Sequence, residues 1–271
     1  MITNQLENVQ NIEHLCFYPA RFSEVYCLQF SILALYLHKA YWSQNTGQYT
    51  HTIMLSLSTL SFLKALKKNN DREWFEKNRG KYELAKADHA QFTQELIKEL
   101  AKINPALGSL EVKDCVFRIY RDVRFSKNKA PYKTNLGCYF VEGGKKSEKA
   151  GFYIQLEPGN NFIAGGCWMP QAPALKAIRQ EIDYNLADFE KVMKEKKFKL
   201  FFGTLSDMKL KTTPKGYTPD NPGIEYIKHT SFIVEKALAD VDFTSKNIVK
   251  KCAEVYKVMN PFLKFLNAAT S

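Results

Sequence analysis

Between Cys115 and Trp168 the apolar residues recur at every second position, and no other stretch limits the fold of this chain so strongly. Phe117 and Ile119 alternate with Arg118 and Tyr120; Phe152, Ile154 and Leu156 alternate with Tyr153 and Gln155; Phe162 and Ala164 lead through Gly165-Gly166 to Trp168. A period of two belongs to strands with one buried face. The segments between, Glu142-Gly-Gly-Lys145 and Pro158-Gly-Asn-Asn161, have hairpin composition. Parallel neighbours need crossovers of roughly a dozen residues or more, so connections this short predict an antiparallel sheet.

On both sides of that run the spacing turns helical. Ser56 or Ser58 can cap a helix with Leu60, Leu63 and Leu66 on one side, closed by the cations of Lys67-Lys-Asn-Asn70. Asn70 and Glu73 have capping-box spacing and predict one helix to about Ile103, with Trp74, Asn78 and Tyr82 in register and Phe92, Leu96 and Leu100 continuing. Asn104-Pro105 through Gly108-Ser109 is a break. After Pro170, Pro173 suits a first turn with Leu175, Ile178 and Ile182 on one face, and Leu186, Phe189, Val192 and Met193 form a further stripe. Thr212 to Gly223 reads as an ordered loop. Thr244 or Ser245 is the expected cap of a last helix through Ile248, Cys252, Val255 and Met259, which Pro261 should kink or restart. The expectation is α+β: a central antiparallel sheet flanked by helices, with N-terminal and C-terminal helical segments.

The 271 residues are 45 % hydrophobic and 25 % charged, which excludes disorder. Six cysteines with no C-x-x-C pair argue against a disulfide scaffold or zinc ribbon and for free thiols in a reducing cytosol. Residues 1–53 stand apart as an N-terminal extension. They hold Arg21 and Lys39 against Glu7, Glu13 and Glu24, so the positive excess behind the net +11 falls in the single α+β domain of residues 54–271. Two readings compete for the extension: an amphipathic helix packed on the domain, or upstream sequence from a mistaken start ahead of Met54. The second is preferred because well-formed helix signals begin only after Met54. The apolar run Phe30–Leu37 is far short of the ~20 residues of a membrane span, and no basic cluster marks a signal peptide. The expectation is a cytoplasmic protein with no membrane partner.

The densest chemistry lies between Arg118 and Lys133. Arg118, Arg121, Arg124, Lys127, Lys129 and Lys133 face one carboxylate, Asp122. Guanidinium forks match phosphate or carboxylate oxygens in a bidentate way, so Arg118, Arg121 and Arg124 with Lys129 make a candidate anion cradle where a strand gives way to a loop. Tyr132 adds a hydroxyl; Tyr132 and Asp122 are the candidates for any proton transfer, and Trp74 and Trp168 for pocket walls. The alternative is that Asp122 pins the loop while the other cations are solvated.

The pattern Arg118-x-x-Arg121-Asp122-x-Arg124-Phe125-x-x-x-Lys129-x-x-Tyr132 resembles the hallmark of a bacterial and fungal family catalogued as domain of unknown function 2461. Asn70-Asp-Arg-Glu-Trp-Phe75 with Asn78 and Tyr82, Gly166-Cys-Trp-Met-Pro170 with Leu175 and Arg179, and Pro214-Lys-Gly-Tyr217 with Pro219-Asp220 and Pro222 match in order, over roughly Leu55 to Leu266. The family has no assigned activity, so the resemblance implies kinship and a shared pocket but no reaction.

Other motifs exclude more than they suggest. Gly143-Gly-Lys-Lys-Ser147 lacks the first glycine and the Ser/Thr placement of a phosphate loop and reads as a hairpin turn. Dinucleotide and hydrolase-elbow signatures are missing, and five scattered histidines give no metal site, so neither cofactor nor metal is expected. Cys115, between apolar neighbours, reads as core. Three classes of function remain: a binder or enzyme for an anionic small molecule, a nucleic-acid-binding module, and an interaction domain whose Arg-Asp motif is an internal salt-bridge network. The first is preferred because the cations concentrate in one short stretch and no helix-turn-helix or RNP signature is present. Oligomeric state is not legible.

Overall fold

The computed structural model describes residues 54–270; the expectations for residues 1–53 lie outside the described residues. Helix α1 (Leu57–Lys68) starts at Ser56, whose hydroxyl accepts from the Ser58 amide. It buries Leu60, Phe62, Leu63 and Leu66. The single long helix expected next is two, α2 (Arg72–Lys77) and α3 (Arg79–Ala101). Asn78 leaves the helical region (φ −112°, ψ 15°) and returns its side-chain amide to the Trp74 carbonyl at 2.9 Å, so the apolar stripe continues across a bend. The cap of α2 is Asp71, which accepts from the Trp74 amide, and not Asn70, whose amide is engaged elsewhere.

A 3₁₀ turn (Pro105–Ser109) and the short α4 (Val112–Cys115) lead to a sheet of β1 (Leu136–Phe140), β2 (Gly151–Leu156), β3 (Asn161–Cys167) and β4 (Phe232–Leu238). The order is β1-β2-β3-β4 and every neighbour is antiparallel, as the short connections predict. The alternation at Phe117 and Ile119 is not a strand. Val116 bridges Cys138 and Tyr120 bridges Tyr132, but the chain between turns away to form a separate hairpin. Strand β4 shows no period of two in the sequence, because Phe232, Ile233 and Val234 are all buried.

Between β3 and β4 lie α5 (Ala172–Tyr184), α6 (Leu186–Lys194), α7 (Lys196–Phe202) and α8 (Ile224–Ile227); α9 (Asp240–Phe243) and α10 (Ile248–Ala268) follow β4. The residue at the cap position of α10 is Asn247, not Thr244 or Ser245: Thr244 closes α9, and the Ser245 hydroxyl accepts from the Asn247 amide at 3.3 Å in the turn between the helices. The helix runs through Pro261 without restarting, because Met259, Phe262, Leu263 and Leu266 are all buried and their packing outweighs the lost main-chain bond. Helix α10 packs on α3 and β3. Cys138, Phe140, Phe152, Ile154, Ile163 and Val234 fill the layer on that side of the sheet.

No helix among the described residues is long and apolar enough to cross a membrane. No group of three or more His, Cys, Asp or Glu among them could hold a metal ion.

Candidate functional site

The arginine-rich stretch closes into a hairpin. Arg121 donates its amide to the Pro131 carbonyl at 2.9 Å and Lys133 donates to Ile119 at 2.7 Å, with Tyr120 and Tyr132 paired between them. Asn70 clamps its base: its side chain donates to the Tyr132 carbonyl at 2.9 Å and accepts from the Tyr132 amide at 3.0 Å. Tyr132 is buried and its ring stacks on Phe75 at 3.9 Å, which pushes the phenol above its ordinary range by desolvation.

The hairpin uses several of its own cations. Arg121 donates to the Ala130 carbonyl at 3.0 Å and the Ser126 hydroxyl at 3.3 Å. Lys129 donates to the carbonyls of Val123 and Arg124. Arg124 grips Asp122 with both Nε and Nη2, the latter at 2.6 Å, and that pairing holds the Asp122 carboxyl below the usual range. Arg118 makes no close ion pair among the described residues, although it adds a smaller share to the lowering of the Asp122 carboxyl. It lies close enough to Lys133 to lower that ammonium, after burial, which is the larger cause. The candidate residues are therefore not gathered round one point: Arg121, Arg124 and Lys129 serve the loop, Tyr132 the core, and Trp74 stacks on Phe62 at 6.1 Å.

A cavity of about 590 Å³ lies instead on the sheet face opposite α10. Its floor follows from strand register. Tyr139, Tyr153, Ala164 and Glu235 form one cross-strand row, with Gly137 and Gly151 diagonal to the tyrosines. A Cβ on Gly151 would sit 2.5 Å from the Tyr139 ring, and one on Gly137 2.6 Å from the Tyr153 hydroxyl, so these glycines let both rings lie over the strands. Phe117, Phe162 and Trp168 complete an aromatic wall. Tyr139 donates to the Lys149 carbonyl and Tyr153 to Gln155. Burial pushes the Tyr153 phenol up to about 12 and the Cys167 thiol to about 12, so neither ionises near neutrality.

The charged rim is mixed. Lys145, Lys149, Glu148 and Glu235 all belong to the lining; Lys149 pairs with Glu142 at 2.7 Å, and Lys145 donates to the Lys113 carbonyl. Pro170 and Gln171, also in the lining, lead into α5, and Gln171 gives its first turn no side-chain cap. A helix start carries partial positive charge and unpaired N–H groups. Lys133 places its Nζ 5.2 Å from the Phe117 ring centroid, which brings the Arg118–Lys133 pair to the cavity's edge.

The turn at Trp168-Met169 is strained. Met169 has φ +45°, a conformation that costs an unbranched residue ~1 kcal/mol or more, and its amide is held by the Ser231 hydroxyl at 2.9 Å. It leaves Trp168 63 % exposed at the cavity mouth. Of the residues singled out from sequence, Trp168 lines the cavity and Arg118 adjoins it. Tyr139, Tyr153, Phe162 and Glu235 escape a reading of the sequence for different reasons: the tyrosines alternate with core residues, Phe162 reads as a core position itself, and Glu235 lies in a strand without alternation, so only register sets them on one face.

A family model described as "Conserved hypothetical protein (DUF2461)" matches residues 58–265. No curated protein and no solved structure matches the chain.

Proposed function

The chain belongs to that family of conserved hypothetical proteins, and we propose that it binds a small planar molecule carrying a phosphate or carboxylate in the cavity on the open face of its sheet. The supporting observation is the glycine-backed aromatic floor formed by Tyr139, Tyr153 and Phe162 with Trp168 exposed beside it. Aromatic rings so arranged favour stacking, and apolar clefts with a few polar groups are the usual form of ligand sites. The anionic group belongs beside Lys145, in the β1–β2 connection at the cavity rim; the Arg118–Lys133 pair adds positive charge beside Phe117, at the opposite end of β1. Glu235, at the other end of the Tyr139 row, suits a donor on the ring system. No reaction is assigned: the tyrosines and Cys167 stay protonated at neutral pH.

The test is a thermal-shift panel of nucleoside monophosphates and aromatic carboxylates, read on wild type, Trp168→Ala and Lys145→Ala. Stabilisation should follow mass action and fall in both variants. A panel with no hits, or a shift kept in both variants, would reject the reading.

One observation favours a second reading, nucleic-acid binding. Phe125 stands 95 % exposed at the hairpin tip, with the Arg124 guanidinium carbon 5.9 Å from its ring. An exposed ring among cations is how single strands are stacked and neutralised. That reading requires steeply salt-dependent oligonucleotide binding that Phe125→Ala removes.

A further inference from the structure

The cavity floor is uneven. Tyr139 of β1 lies over Gly151 of β2, and Tyr153 of β2 lies back over Gly137 of β1, so both rings cover the first strand pair. Above β3 the lining drops to Ala164, Gly165 and Gly166, between Phe162 at one end of the segment and Trp168 at the other. Ala164 is 6 % exposed, recessed between taller neighbours. Register sets Tyr153 on one side of Ala164 and Glu235 on the other. Two strand spacings separate them, about 9–10 Å, which is room for one planar ring system.

Glu235 bounds that slot with a carboxylate that takes no hydrogen bond or ion pair among the described residues. The nearby cations are engaged elsewhere. Lys149 pairs with Glu142, Lys145 donates to the Lys113 carbonyl, and Lys236 lies over the Phe201 ring at 4.5 Å. A carboxylate presents two acceptor oxygens side by side and no donor. Two adjacent N–H groups on a ring edge match them as the fork of an arginine does. A donor beside a ring-nitrogen acceptor, the adenine arrangement, gains one bond and sets a lone pair against the second oxygen.

We propose that Glu235 fixes the ligand class of this cavity: a fused planar heterocycle with two adjacent N–H donors on one edge, the chemistry shared by guanine and pterins. The inference rests on the cavity being the ligand site. It places the donor edge at β4 and leaves the phosphate or carboxylate to Lys145.

The test is titration calorimetry of wild type, Glu235→Gln and Trp168→Ala with guanosine monophosphate, pterin-6-carboxylate and adenosine monophosphate. At least one of the first two should bind roughly tenfold or more tighter than the adenine nucleotide, the better of them naming the source of the edge. Glu235→Gln exchanges one acceptor for a donor at an exposed position, and should erase or invert that preference; Trp168→Ala should weaken all binding. Equal affinity for the adenine nucleotide, or a preference kept in Glu235→Gln, would overturn the proposal, while binding that still depends on Trp168 leaves the cavity reading standing. If none of the three binds, the proposal falls, and the cavity reading falls with it only when aromatic carboxylates fail to bind as well.

Discussion

The side-chain amide of Asn70 pairs with the peptide of Tyr132 as a neighbouring strand would, giving and taking one hydrogen bond across 62 residues of sequence. Asparagine is the residue type that fits, because it offers a donor and an acceptor at the length of a peptide. Asn70→Asp keeps the acceptor but sets an oxygen against the Tyr132 carbonyl, and should cost about 1–3 kcal/mol; Asn70→Ala should cost more. Asp71→Ala, which removes the true cap of α2, should cost about 1 kcal/mol. Urea unfolding of the three variants checks the ranking. Equal losses for Asn70→Ala and Asp71→Ala would mean that the clamp contributes little.

Glycines give an opposed pair of expectations. At Gly151 an added methyl meets the Tyr139 ring at 2.5 Å, so Gly151→Ala should destabilise by about 1–3 kcal/mol and reduce ligand affinity by tilting the cavity floor. At Gly80, in α3, nothing lies within 4 Å, and Gly80→Ala should stabilise by about 0.5–1 kcal/mol through helix propensity. Melting curves of both proteins decide it; two shifts of the same sign would contradict the packing described for the floor.

Much of this architecture was legible because its signals are local. The stripes at Leu60, Leu63 and Leu66 and at Ile178 and Ile182, and the turn-forming Pro158-Gly-Asn-Asn161, each act within a few residues. What stayed hidden depends on chain reversal. Asn70 has capping-box spacing to Glu73, and only the fold reveals that Tyr132 competes for its amide and wins. The cations of the motif read as a cradle where a strand gives way to a loop. Once Ile119 and Lys133 close the hairpin, Arg121 and Lys129 find carbonyls of their own loop. Tyr139 and Tyr153 gain their place in the cavity floor only through register, which sets them opposite one another.

Acid should weaken the fold through its buried histidines. His89 is buried with no charged partner, and burial brings its imidazole down from an ordinary value near 6.5 to about 4; His229 is shifted to about 4, chiefly by the same cause. Between those values the unfolded chain binds a proton that the folded chain refuses. Stability is therefore complete above pH 6.5 and declines as pH falls toward 4, by up to about 2 kcal/mol per histidine between pH 6.5 and 5. Urea midpoints across that window should fall with acid, and His89→Gln should flatten the slope. A flat profile in the wild type, or histidine resonances titrating near 6.5 in the folded protein, would refute the assignment.

The two arginines of the hairpin that form hydrogen bonds within it should part company on mutation. Arg121 is half-buried and ties Ala130 and Ser126 across the loop, so Arg121→Ala removes two bonds to groups that the loop itself holds away from water. The expected cost is about 1–2 kcal/mol, with faster amide exchange over residues 122–129. Arg124 and Asp122 form a short, solvent-exposed pair at 2.6 Å, their side chains 77 % and 48 % accessible. Pairs of that kind are screened and entropically costly to hold, so Arg124→Ala should leave the melting temperature essentially unmoved. If Arg124→Ala proved the more destabilising, the hairpin would owe its shape to the ion pair. If both variants kept wild-type stability yet lost phosphate-ligand binding, the cavity would give way to the hairpin as the binding surface.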